Sequence, residues 1–185
     1  METGLDRLPF LPALLARLRG ARLGVLAHPA SVDRRLTHIS QVLADAGVTP
    51  TLFFGPEHGY GGEAQDMIGV ASATDPRTGA PIVSLYGDRF EDLSPTPAQL
   101  APIDLLLIDL VDIGSRYYTY VWTALLAARA ARDIGAAAAF APASSPPAEG
   151  GTADGYSAHT RSVSLLTITH DTPPTTDSDK NSPRH

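Results

Sequence analysis

A glutamate set between a proline and a glycine-rich stretch, Gly55-Pro56-Glu57-His58-Gly59, is the pattern in this chain best suited to chemistry. Partial burial of such a carboxyl, beside backbone amides and an imidazole, suits it to general acid work. The plain alternative is a loop glutamate that caps a turn or pairs with Arg116. His58 can orient Glu57 or touch a substrate, or it can stand as an exposed loop histidine. His28-Pro29-Ala30-Ser31 offers a second imidazole and a hydroxyl. Asp109 and Asp112 lead into Gly114-Ser115-Arg116-Tyr117-Tyr118 and Tyr120. There a guanidinium can take the carboxylate of an acidic sugar bidentately while tyrosine faces stack on the ring. The same tyrosines can instead pack the first turns of a helix. Asp109 reads more readily as a helix cap or a buried hydrogen-bonded group than as an acid, base or ligand. His28, Glu57, His58 and Asp112 are of types that bind zinc or manganese, but no His-x-x-x-His spacing joins them, so no metal is expected.

For these groups to meet, each must lie at a strand end. Arg22 to Ala27 and Thr51 to Phe54 are apolar runs of strand length, and between them Ile39, Val42, Leu43 and Ala46 recur at helical spacing after Asp33, with Gly47 as the stop. That strand–helix–strand unit predicts a parallel crossover. Ile103 to Leu110 is the most apolar strand and belongs at the centre of a parallel sheet. Leu11, Leu14, Leu15 and Leu18 predict a short helix ending at Gly20, Pro81 to Leu85 a further strand, Thr96 to Leu100 a short helix, and Ser115 to Asp133 the longest helix, closed by Gly135. Gly55 to Pro81 is a long polar loop containing the turn signal Asp75-Pro76-Arg77-Thr78-Gly79, and a loop of that length in a compact domain points to function. In an open parallel sheet, ligands bind at the carboxyl ends of the strands, which is where Glu57, His28 and Asp109 fall. The expected fold is therefore α/β: a Rossmann-like parallel sheet with flanking helices over residues 1–142. Ala136 to Ala141 is a candidate last strand. Residues 143–185, rich in Ala, Pro, Ser, Thr and Gly, read as a disordered tail, although Val163 to Thr169 has strand-like composition.

Composition narrows the partners. The 185 residues carry a net charge of −6 with no basic stripe, which argues against nucleic acid. No apolar run is long enough to span a bilayer, and Met1 to Gly20, with Glu2, Asp6, Pro9 and Pro12, does not read as a signal peptide, so the chain as written is expected in the cytoplasm. Cysteine is absent, which excludes disulfides and thiolate metal sites. The glycines of residues 55–62 lack the Lys-Ser/Thr of a phosphate loop, and a GxGxxG fingerprint is missing, so a nucleotide cofactor is not expected.

Five ordered motifs give the chain a family resemblance. They are Phe54-Gly-Pro-Glu-His-Gly59, Gly62-Glu-Ala-Gln-Asp-Met-Ile-Gly69, Asp75-Pro-Arg-Thr-Gly79, Ser84-Leu-Tyr-Gly87 and Asp112-Ile-Gly-Ser-Arg-Tyr-Tyr-Thr-Tyr-Val-Trp-Thr123. Over about residues 20–135 the chain resembles the NamZ-type peptidoglycan exo-β-N-acetylmuramidases, whose members usually have Asn where His28 stands. The resemblance implies a glycoside hydrolase that removes N-acetylmuramic acid from the non-reducing ends of peptidoglycan fragments, without metal or nucleotide cofactor. It implies Glu57 as the catalytic acid, in a cleft shared with a second, C-terminal domain. His28, Ser31, His58, Asp112, Arg116, Tyr117, Tyr118 and Tyr120 are the residues expected to hold the sugar. Relatives are expected to be roughly twice this length, in the range where chains divide into domains. Their Asp-Arg-Pro-Asn-Pro and Val-Glu-Gly segments are not found after Gly135, which reads as a truncation or frameshift. Because glycosidases generally use two carboxylates, loss of a downstream one leaves a muramyl-sugar-binding remnant or an inactive product as the alternative reading.

Overall fold

The structure is a computed structural model that describes residues 3–61, 73–87, 89–112, 119–141 and 167–168. Strands β1 (Leu23–Ala27), β2 (Leu52–Gly55), β3 (Ala73–Thr74), β4 (Pro81–Ser84), β5 (Leu105–Asp109), β6 (Ala137–Phe140) and β7 (Thr167–Ile168) form one sheet in the order β3-β4-β2-β1-β5-β6-β7. The five central strands are parallel, and β3 and β7 add antiparallel edges. The Rossmann-like α/β sheet expected from the apolar runs is thus present.

The sheet is buried on both faces, and the pleat explains its composition. Leu23, Val25, Phe53, Leu105 and Leu107 point to one face, where they pack with Leu5, Leu15, Leu18, Ile39 and Leu43. The alternate residues Leu26, Phe54, Leu106 and Ile108 point to the other, against Leu100, Ala127, Ala128 and Ala131. The helices α1 (Gly4–Arg7), α2 (Pro12–Gly20) and α3 (Ile39–Asp45) therefore supply the first layer, and α4 (Pro97–Leu100) and α5 (Tyr120–Asp133) the second. In α5 the alanines at 127, 128 and 131 bring the helix close to the sheet, while Trp122 and Leu125 face outward.

One helix start differs from expectation for a local reason. Asp33 does not open α3. Its Oδ1 accepts from the backbone N–H groups of Arg35 and Thr37, both at 2.8 Å, and so closes a turn. The helix begins six residues later, with His38 as the N-cap accepting from the Ser40 N–H. The described part of the long helix starts at Tyr120; residues 115–118 lie outside the described residues. Outside them, too, lies the tail expected over residues 143–185, apart from β7, which falls within the stretch of strand-like composition. Among the described residues no helix is long and apolar enough to cross a membrane.

Candidate functional site

The sheet order reverses at β1. The chain passes from β1 to β2 on one side and later returns to β5 on the other, and in an open α/β sheet such a switch point is where ligands are expected, at the carboxyl ends of the strands. Ala27 of β1 pairs with Asp109 of β5, so the two strands end level.

His28 follows β1 directly and is buried. Its N–H donates to Ser31 Oγ at 3.0 Å, and the Ser31 hydroxyl donates to the Asp109 carbonyl oxygen at 2.5 Å. The Val111 N–H donates to His28 Nε2 at 2.9 Å, which places the imidazole proton on Nδ1 in the neutral ring. Burial is the main reason its pKa falls to about 4, with the neighbouring His38 adding to the effect and Asp112 opposing it. The Tyr120 ring stands edge-on to this imidazole with centroids 4.9 Å apart. Ser31 is fully buried, so its hydroxyl is a staple between the β1 and β5 loops, and Tyr120 is itself mostly buried at the start of α5.

Glu57 lies on the loop after β2. Gly55 makes this loop possible: a Cβ there would stand 2.5 Å from the Tyr60 backbone nitrogen. Gly59 N–H donates to the Pro56 carbonyl at 2.8 Å, and His58 (φ 67°) and Gly59 (φ 80°) take left-handed backbone angles, so the chain reverses tightly around Glu57. Glu57 is half-buried, and His58 points to solvent. The Thr119 hydroxyl, at the N-cap of α5, donates to Glu57 Oε2 at 2.7 Å. Glu57 is therefore tied to the α5 end; Arg116, weighed as its partner, lies outside the described residues with Tyr117 and Tyr118.

Asp109 departs from the hydrogen-bonded group expected of it. Its carboxyl is 3% exposed, and among the described residues Oδ2 has no hydrogen-bond partner. Burial pushes its pKa up to about 7. Asp112, two residues beyond the Leu110 that follows β5, is half-buried. Among the described residues no group of three or more His, Asp or Glu side chains gathers as metal ligands.

A second polar group, read from sequence only as a turn, stands on the other flank of the β2 loop. Asp75 is 1% exposed. Its Oδ2 accepts from the Arg77 and Thr78 N–H groups and the Thr78 hydroxyl, and its Oδ1 from the Tyr60 hydroxyl at 3.1 Å. The Arg77 guanidinium donates to Ser40 Oγ at 3.3 Å, and Ser40 Oγ lies 3.0 Å from His38 Nδ1. His38 Nε2 reaches the His28 carbonyl at 3.2 Å. Burial lowers the His38 pKa, and the Arg77 charge acts in the same direction. His38, Tyr60, Asp75 and Arg77 border a cleft of about 400 Å³, lined also by Pro29, Ile82 and Ser84 near the ends of β1 and β4. The signal that could have found them was the buried aspartate of Asp75-Pro76-Arg77-Thr78-Gly79: a carboxylate that folds a turn also fixes where its arginine stands.

Comparison with known proteins agrees with this fold. Residues 23–167 match the family model described as exo-β-N-acetylmuramidase NamZ, N-terminal, so the match runs past residue 135, takes in β6 and ends at the first residue of β7. The chain is 39% identical over 136 residues to the peptidoglycan β-N-acetylmuramidase NamZ of Bacillus subtilis, covering 73% of this chain and 32% of that protein. A DUF1343 family protein from Bacteroides fragilis superposes with a TM-score of 0.63 at 33% identity, over 76% of this chain and 34% of that one. A second DUF1343 protein from the same organism, at 22% identity and a TM-score of 0.58, shares the fold. The matched stretch covers about a third of the length of these relatives. With the sheet, the ordered motifs and the family match in agreement, this chain belongs to the exo-β-N-acetylmuramidase NamZ family, corresponding to its N-terminal part.

Proposed function

We propose that the carboxyl edge of this sheet binds the terminal N-acetylmuramic acid of peptidoglycan fragments, with Glu57 as the general acid of exo-β-N-acetylmuramidase chemistry. The observation that carries the reading is the bond from Thr119 to Glu57 Oε2. It holds one carboxyl oxygen, and among the described residues no bond to Oε1 is made, so Oε1 can face a glycosidic oxygen. A proton passed from Glu57 to that oxygen leaves a carboxylate, and a hydroxyl already donating to Oε2 stabilises the charge as it forms. The family membership and the relationship to a protein named as a peptidoglycan β-N-acetylmuramidase support the substrate class. His28 and Ser31 act in this reading by joining the β1 and β5 loops, and His58, Asp112, Arg116, Tyr117, Tyr118 and Tyr120 line the sugar.

Hydrolysis needs a second carboxylate opposite the acid, whereas binding needs none. The test is therefore turnover of a 4-nitrophenyl muramide beside calorimetric titration with N-acetylmuramic acid. Turnover that Glu57→Gln abolishes establishes the acid. Binding without turnover assigns the chain sugar recognition alone, and silence in both overturns the reading.

A further inference from the structure

We infer that Arg77 is the residue through which this site selects an acidic sugar, its guanidinium taking the lactyl carboxylate of a muramyl ring seated in the cleft between the Glu57 loop and the Asp75 turn. This rests on the proposed muramyl-sugar reading and adds to it a specificity-determining residue on the opposite flank of the β2 loop from Thr119.

The geometry carries the assignment. Among the described residues that line the cleft, Arg77 supplies the guanidinium and Asp75 the carboxylate, and they are presented differently. The Asp75 carboxylate is buried, with both oxygens turned into its own turn and onto the Tyr60 hydroxyl. Arg77 is exposed, and among the described residues it makes no ion pair; Ser40 Oγ takes only one of its five N–H donors. An entering anion thus meets the cation and not the carboxylate behind it. The guanidinium is also held. Its backbone is fixed by the Arg77 N–H to Asp75 bond, and its tip by Ser40, which is fully buried and lies against His38. A planar fork held this way loses little freedom when it takes a carboxylate. Pro29, Pro76 and Ile82 supply the apolar wall that a sugar ring and a lactyl methyl require. The same loop that carries Glu57 supplies Gly55, Gly59 and Tyr60 to the cleft, so the cleft and the proposed acid share one loop.

Selection is measured by titrating the whole chain and its Arg77→Gln variant with N-acetylmuramic acid and with N-acetylglucosamine, which lacks the lactyl group. Arg77→Gln is expected to weaken the acidic sugar about tenfold or more, the usual worth of a charge-assisted bidentate contact, and to leave the neutral sugar unchanged. Equal loss for both sugars, or no loss, overturns the role of Arg77 while leaving muramyl-sugar binding intact. A third titration, with D-lactate, follows the Arg77 Nε–H resonance by NMR. If neither sugar binds but lactate shifts that resonance, the anion site stands and the muramyl reading falls. If lactate is silent as well, both fall.

Discussion

Thr119 and Glu57 lie 62 positions apart in the chain and meet at 2.7 Å, hydroxyl to Oε2, where the loop after β2 touches the first turn of α5. Replacing the hydroxyl with a methyl keeps the shape and leaves Oε2 without its donor. Thr119→Val should lower the thermal midpoint by roughly 2–4 °C, corresponding to about 1 kcal/mol. Any muramidase turnover should fall further than that, while Thr119→Ser retains both. Differential scanning calorimetry and the chromogenic assay check the two halves.

His28 should not titrate in the neutral range. Its Nε2 accepts the Val111 N–H, and burial lowers its pKa from 6.5 to about 4. A depressed folded-state pKa means that its contribution to stability is complete above about pH 6.5 and is lost as pH falls through 4. NMR titration of the imidazole nitrogens should show a neutral ring, protonated at Nδ1, from pH 8 down to 5. A ring that charges near 6.5 would contradict the observed bond.

Asp109 has the opposite sign. Burial raises its pKa from 3.8 to about 7, so the folded state favours the protonated form. Stability from this group is complete below about pH 4 and declines as pH rises towards 7. Asp109→Asn removes the ionisation. It should unfold at higher denaturant than the parent at pH 8, by a difference on the order of 4 kcal/mol, and the gap should close towards pH 4. Paired urea titrations at pH 4.5 and 8 isolate the effect, since the other titrating groups are common to both proteins.

Gly55→Ala should be costly at a site where the added methyl has nowhere to go. The Tyr60 nitrogen at 2.5 Å and the Gly59 carbonyl carbon at 3.1 Å are backbone atoms of the loop that holds Glu57. A loss of about 1–3 kcal/mol is expected, together with loss of sugar binding. Gly20→Ala is the control. It ends α2 with nothing within 4 Å of the new carbon, and it should be neutral or stabilise by up to about 1 kcal/mol. Denaturant midpoints for the two variants provide the comparison.

The parts of this molecule that could be read from sequence are those where one force dominates. Leu23–Ala27 and Leu105–Asp109 are strands buried on both faces, so unbroken apolar runs mark them. Glu57 stood out because proline and glycine bracket it, and the ordered motifs around it carried the family. Strand β3 has two residues and is held by pairing with β4, which no local pattern announces. Asp33 carries a helix-start signature but spends its carboxylate on the turn before, leaving the cap to His38. Ser31 had the type and place of a ligand-binding hydroxyl, yet it faces inward, because only the paired β1 and β5 ends show that Asp109's carbonyl needs a donor. His38, Ser40 and Arg77 come together through tertiary contacts between residues that are 37 positions apart in the case of Ser40 and Arg77.

The staple between Ser31 and Asp109 bridges 78 positions, and the bond between His28 and Val111 bridges 83. Neither can close until the central strand has been made and has docked beside the first. During synthesis, the loop after β1 therefore waits, without these bonds, for β5 to arrive. Such high contact order makes assembly of the site a late and cooperative event. A ligand that needs it should then register as protection of the core amides of β1 and β5 in hydrogen exchange, and not merely as quieting of the loops that touch it.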